Sequence, residues 1–212
     1  LKRAGVHKTV VNVHHYADRI IRFLAENSNF GMDIEVSDES GCLLDTGGGI
    51  RRAMHILNSD VPVLIHNVDI FSAVDLGRLY TEHCMYGADV TLLASDRNTN
   101  RKLWFGPDQR LCGWSNSVTG QTRSPYAWFA CSHNAMMNDK NLKSLAFQGI
   151  HVVSCNVIKA LDKVENDRFS ITDFYVDNAD TMNIRAEIMP SDVPWVDAGK
   201  PDALEKDRKS VV

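Results

Sequence analysis

The sequence predicts an α/β fold: a mixed, mainly parallel sheet with helices on both faces. Three observations predict it. Short apolar runs rich in β-branched residues alternate with segments whose apolar residues fall at helical spacing. Two of the runs end beside an acid, Asp69 and Asp197, which is where α/β sheets present ligand-binding groups. A run of three glycines, Gly47-Gly48-Gly49, separates an apolar run from a helical pattern.

The elements follow in order. Leu1–Gly5 reads as the tail of a helix closed by a glycine. His7–Val13 is a strand, Ala17–Ala25 an amphipathic helix with Ile20, Ile21, Phe23 and Leu24 on its apolar side, and Met32–Val36 a second strand. After a polar turn and the glycines, Ile50–Leu57 is a helix and Val61–His66 a buried-type strand. Ser72–Tyr86 is predicted helical and closed by Gly87, and Ala88–Ala94 is another strand. Leu103–Phe105 and Leu111–Trp114, split by Gly106-Pro107-Asp108-Gln109, read as a hairpin. Residues 124–142 lack periodicity and read as a long loop, a candidate substrate lid. Leu145–Val153 is a strand, and Val157–Leu161 begins a short helix. Ser170–Ala179 is helical, with Ser170 as N-cap and Asp173 at the capping-box position. Met182–Met189 is a strand, Trp195–Asp197 a short strand or turn, and Pro201 opens a last helix. No repeat or linker interrupts the chain, so residues 1–212 read as one domain.

Composition narrows the function. The 212 residues are 44% hydrophobic and 24% charged, with a net charge of −4. That describes a globular chain large enough for a real core, without the basic footprint of a nucleic-acid or anionic-membrane binder. No apolar run approaches a membrane span. The five scattered cysteines contain no C-x-x-C, so reduced thiols and a cytoplasmic location are expected.

The chemistry is carried by few groups. Three glycines let a ligand approach the backbone closely, and a helix N-terminus there would offer N–H donors. A flexible turn is the alternative. Asp69 and Asp197, if the sheet brings them together, can hold one Mg²⁺ through carboxylate oxygens, the rest of its shell coming from phosphates and water. No Ser-His-Asp arrangement is visible.

At these residues the chain resembles the sugar-1-phosphate nucleotidyltransferases. Within them it is most like the branch typified by N-acetylmuramate-1-phosphate uridylyltransferase and the mannose-1-phosphate guanylyltransferase-like enzymes. The matching stretches are Val11-Asn12-Val13-His14-His15, Leu44-Asp45-Thr46-Gly47-Gly48-Gly49-Ile50, Asn67-Val68-Asp69-Ile70, Phe147-Gln148-Gly149-Ile150-His151-Val152-Val153 and Trp195-Val196-Asp197-Ala198-Gly199-Lys200-Pro201, in the family's order. The resemblance implies a Rossmann-like nucleotidyltransferase fold and Mg²⁺-dependent attack of a sugar 1-phosphate on a nucleoside triphosphate, UTP or GTP favoured. The products are a nucleotide-sugar and pyrophosphate. It implies Asp69 and Asp197 as catalytic metal ligands and Asn12, Thr46, Gly47, Gly48 and Asn67 as nucleotide contacts. Gly149 and Asp173 are the implied sugar contacts, with Gln148 standing where the family has Ser.

Its partners would be those two substrates, with no nucleic acid or membrane and a homo-oligomer left open. The family's opening glycine-rich phosphate loop and its Lys-Pro segment have no match, which implies a domain incomplete at its N-terminus and a chain inactive by itself. A non-catalytic nucleotide-sugar binding module and a metal-dependent glycosyltransferase are the competing readings.

Overall fold

In the computed structural model, residues 1–131, 139 and 141–199 are described; the predicted Pro201 helix and much of the predicted loop lie outside them. The strands are β1 (Lys8–Val13), β2 (Asp33–Asp38), β3 (Val63–His66), β4 (Ile70–Ser72), β5 (Val90–Ser95), β6 (Arg101–Phe105), β7 (Leu111–Asn116), β8 (Thr122–Arg123), β9 (Lys143–Val153), β10 (Ile184–Ile188) and β11 (Trp195–Asp197). The helices are α1 (Ala17–Glu26), α2 (Asp45–Leu57), α3 (Leu76–Tyr86), α4 (Ile158–Leu161) and α5 (Ile171–Asp177). They group into two compact units. The first comprises Leu1–Val63 and Ser154–Tyr175; the second comprises Leu64–Val153 and the described residues from Val176 on.

In the first unit β1 and β2 pair in parallel, Lys8 opposite Asp33 through Val13 opposite Asp38. Helix α2 packs against β1, β2 and α4. It begins at Asp45, five residues before the predicted start, because the three glycines are helical and buried rather than a turn ahead of the helix. Glycine is a poor helix former, so tertiary packing must be what holds them there. Arg51 shows how. Its Nη1 donates to the carbonyls of Leu161 and Val164 at 3.4 and 2.9 Å, its Nη2 to Asp167 Oδ1 at 2.7 Å. Its guanidinium also stands 5.3 Å from the Phe169 ring centroid. One side chain thus ties residues 161–169 onto α2.

The second unit is built on a mixed sheet in the order β10-β5-β9-β6-β7-β8, with β3 also pairing β9. β10 and β5 run parallel, whereas β5–β9, β6–β9 and β6–β7 are antiparallel. The β6–β7 pair is the predicted hairpin, closed by Gln109 at φ 64 with Gly106 N–H donating to Arg110 O at 2.9 Å. Strands joined by a connection as short as residues 106–110 can pair only antiparallel. The core gathers Ile70, Leu79, Leu93, Ile150, Val152 and Met189, with Leu64 and Trp195 packed against it. Trp104, Cys112 and Phe129 form a second cluster, where the Trp104 indole N–H reaches Ser115 Oγ at 2.8 Å.

Helix α3 starts at Leu76 rather than Ser72. The Asp75 carboxylate caps it by accepting the Arg78 N–H at 2.9 Å, and Ile70–Ser72 is drawn into pairing with β11 instead. Gly87, at φ 56, closes the helix as expected. Among the described residues no helix is long and apolar enough to cross a membrane.

β9 places His151 fully inside, its ring 5.3 Å from that of Phe147. Burial lowers its pKa from 6.5 to about 3. The unfolded chain therefore takes up a proton below pH 6.5 that the folded one refuses until about pH 3, and stability falls as pH drops across that window. The loss amounts to roughly 4 kcal/mol by pH 3. NMR titration of the imidazole should give a value below 4 in the native protein, and a value near 6 would contradict the buried placement.

Candidate active site

β4 and β11 carry the two acids. They pair antiparallel, with Trp195 opposite Ser72, Val196 opposite Phe71 and Asp197 opposite Ile70. The register puts Asp69 beside the end of β11, and the Ala198 N–H donates to the Asp69 carbonyl at 2.8 Å. Both side chains then converge on Gly199. A Cβ at that glycine would lie 2.5 Å from Asp69 Oδ2 and 3.3 Å from Asp197 Oδ1, so the two oxygens are no further apart than the sum of those distances. Glycine leaves the space between them open, and Asp197 Oδ1 also accepts the Gly199 N–H at 3.2 Å. Both residues are only partly buried.

Two carboxylates around an open space suit a hard cation that completes its shell with ligand oxygens. Among the described residues no group of three or more His, Cys, Asp and Glu gathers.

Asn67 and Gly149 also meet in the second unit. The Asn67 N–H donates to Gly149 O at 2.9 Å. A side chain at Gly149, which has φ 75, would stand 3.0 Å from Asn67 Nδ2. The left-handed backbone and the close approach both require glycine here. Gln148 is buried and donates its amide to Ala146 O at 2.7 Å.

The remaining candidates lie in the first unit. Asn12 is exposed at the end of β1, its amide 2.6 Å from where a Cβ of Gly49 would fall. Thr46 Oγ1 accepts the Ile171 N–H at 3.0 Å, and the Gly47 N–H donates to Phe169 O at 2.8 Å. Gly48 faces Asp167 O. The glycine stretch is thus covered by residues 167–171. Asp173 is exposed in the first turn of α5, its N–H donating to Ser170 Oγ at 3.3 Å, the predicted cap.

Two groups escaped the sequence reading. Glu39 is 5% exposed, takes the Leu44 N–H on Oε2 at 3.3 Å and faces Gly49 with Oε1. Arg97 stands 4.5 Å from the Trp195 ring centroid. Burial lowers its pKa and the Asp197 charge opposes that shift. The signal for Arg97 was the one used for Asp69, a charged residue just past the end of a buried strand.

The fold so described is shared with solved structures. HddC from Yersinia pseudotuberculosis superposes with a TM-score of 0.71 at 16% identity, over 100% of this chain and 81% of that one. A putative glucose-1-phosphate thymidylyltransferase from Bacillus anthracis, solved with a sucrose, gives 0.74 at 12% identity, over 99% and 78%. At these identities the likeness is one of fold.

In sequence, N-acetylmuramate alpha-1-phosphate uridylyltransferase of Caulobacter vibrioides is 34% identical over 98 residues, 45% of this chain. The matched stretch spans 37% of that curated relative's length. No protein-family model matches. The resemblance carried by the motifs therefore holds in both sequence and fold.

Proposed function

We propose that this protein is a Mg²⁺-dependent sugar-1-phosphate nucleotidyltransferase that joins a nucleoside triphosphate, UTP or GTP, to a sugar 1-phosphate and releases pyrophosphate. The observation that carries the reading is the convergence of Asp69 and Asp197 on Gly199 within a nucleotidyltransferase fold. The metal would neutralise phosphate charge and act as Lewis acid and template.

This chain's residues do the rest. Asp69 and Asp197 would hold the ion through their carboxylate oxygens. The short β4–β11 ladder fixes the two backbones against each other, so the pair needs no rearrangement when charge develops. The Asn67–Gly149 contact presents backbone to the sugar, and Asn12 and Thr46 serve the nucleotide, with Asp173 as a sugar contact. No protein base is required, because positioning and charge neutralisation supply most of the rate in such transfers. A cytoplasmic location fits these substrates.

The test is pyrophosphate release from the full-length protein with UTP, GTP, dTTP and CTP against a panel of sugar 1-phosphates, with Mg²⁺ and with chelator. The panel includes N-acetylmuramate 1-phosphate, because the partial relative is named for it. Metal-dependent release with one pair is expected and names the substrates. Nucleotide-sugar binding without release from any pair would overturn the assignment in favour of a binding module.

A further inference from the structure

Arg97 follows β5 directly and reaches back to β11. Its guanidinium carbon lies 4.5 Å from the centroid of Trp195, two residues before Asp197. The indole is fixed from the other side, by its N–H donating to Gln148 O at 3.1 Å and by packing on the core of the second unit. The Arg97 backbone is held too, its carbonyl accepting Lys102 Nζ at 2.7 Å.

Among the described residues, no carboxylate lies in ion-pair contact with the guanidinium, and the buried Nε has no hydrogen-bond partner. Asp197 acts on it by charge alone. A part-buried cation stacked on an aromatic face with unused donors is costly unless an anion completes it. The planar fork of arginine matches phosphate oxygens in particular.

We propose that Arg97 is a phosphate-contacting residue, its guanidinium stacked on Trp195 and offered to the phosphate oxygens of a ligand held at the Asp69–Asp197 pair. This rests on the metal-site reading of that pair. The phosphate is either the monoester of the sugar 1-phosphate or the diphosphate portion of the nucleotide. Lysine would supply the charge without the fork or the flat stacking face.

Calorimetric titration of the full-length protein separates the cases, first with Mn²⁺ alone, then with glucose 1-phosphate and with inorganic pyrophosphate at fixed free Mn²⁺. Arg97→Gln is expected to leave Mn²⁺ binding intact while weakening one phosphate probe about ten- to a hundredfold, and Arg97→Lys to recover only part of the loss. The probe that weakens identifies the phosphate.

Wild-type affinity of Arg97→Gln for both probes would overturn the proposal. So would an equal loss of Mn²⁺ binding, which would make Arg97 a prop for Asp197. Failure of the wild type to bind Mn²⁺ overturns the metal reading separately. An Arg97-dependent loss of pyrophosphate binding in that case still supports the anion contact.

Discussion

Asp69→Asn and Asp197→Asn are each expected to lower Mn²⁺ affinity and metal-dependent pyrophosphate release about a hundredfold or more, while leaving thermal unfolding nearly unchanged. The second half of the expectation comes from the hydrogen bonds. The Ala198 N–H is taken by the main-chain carbonyl of Asp69, which the substitution does not touch. Gly199 N–H is taken by Asp197 Oδ1, which asparagine reproduces with its own carbonyl oxygen. Only the charge and one metal-binding oxygen are lost.

The double variant is the sharper experiment. If both carboxylates serve one ion, removing the second after the first has little left to remove, and the effects fall well short of additive. Additive losses would mean that the two acids act at separate places, and normal Mn²⁺-dependent rates in both single variants would end the site assignment.

The sequence made the strands and helices of the alternating region legible because burial and backbone periodicity are local properties. β1, α1, β5 and β9 sit where their apolar patterns put them, to within a few residues. The hairpin was legible from its Gly-Pro-Asp turn. The start of α2 was not. Three glycines read as a break in any local scheme, and only the segment at 167–169, far along the chain, explains why they are helical.

The start of α3 was misread for a related reason. Ser72 was read into the helix, and the pairing of residues 70–72 with Trp195–Asp197 is invisible until the chain is folded. The same pairing brings Asp69 to Asp197, so their proximity came from resemblance and not from spacing. Arg97 was missed because a Ser-Asp-Arg-Asn run looks like an ordinary polar loop until Trp195 is placed beneath it.

Gly48→Ala is expected to destabilise the protein by about 2 to 3 kcal/mol, although alanine is the better helix former by nearly 1 kcal/mol. The sign is decided by what the new methyl would meet. A Cβ at Gly48 would lie 2.1 Å from Asp167 O and 2.9 Å from the Leu44 Cβ. Neither neighbour can rotate away, so backbone must move, and the movement pulls on the Arg51–Asp167 and Gly47–Phe169 contacts that fasten residues 161–169 to α2.

The neighbouring glycines grade the effect. At Gly47 the methyl meets the Phe169 ring at 2.3 Å and its carbonyl at 2.8 Å, so one obstacle can swing and the other cannot. At Gly49 it meets the ends of two longer side chains, Asn12 Nδ2 at 2.6 Å and Glu39 Oε1 at 2.8 Å, which can withdraw at lower cost. Denaturant melts of the three alanine variants should therefore rank Gly48 as the worst and Gly49 as the mildest. A Gly48→Ala protein as stable as wild type would show that residues 167–169 do not pack over the glycines. The stretch would then be open to a ligand in the way the bare sequence suggests.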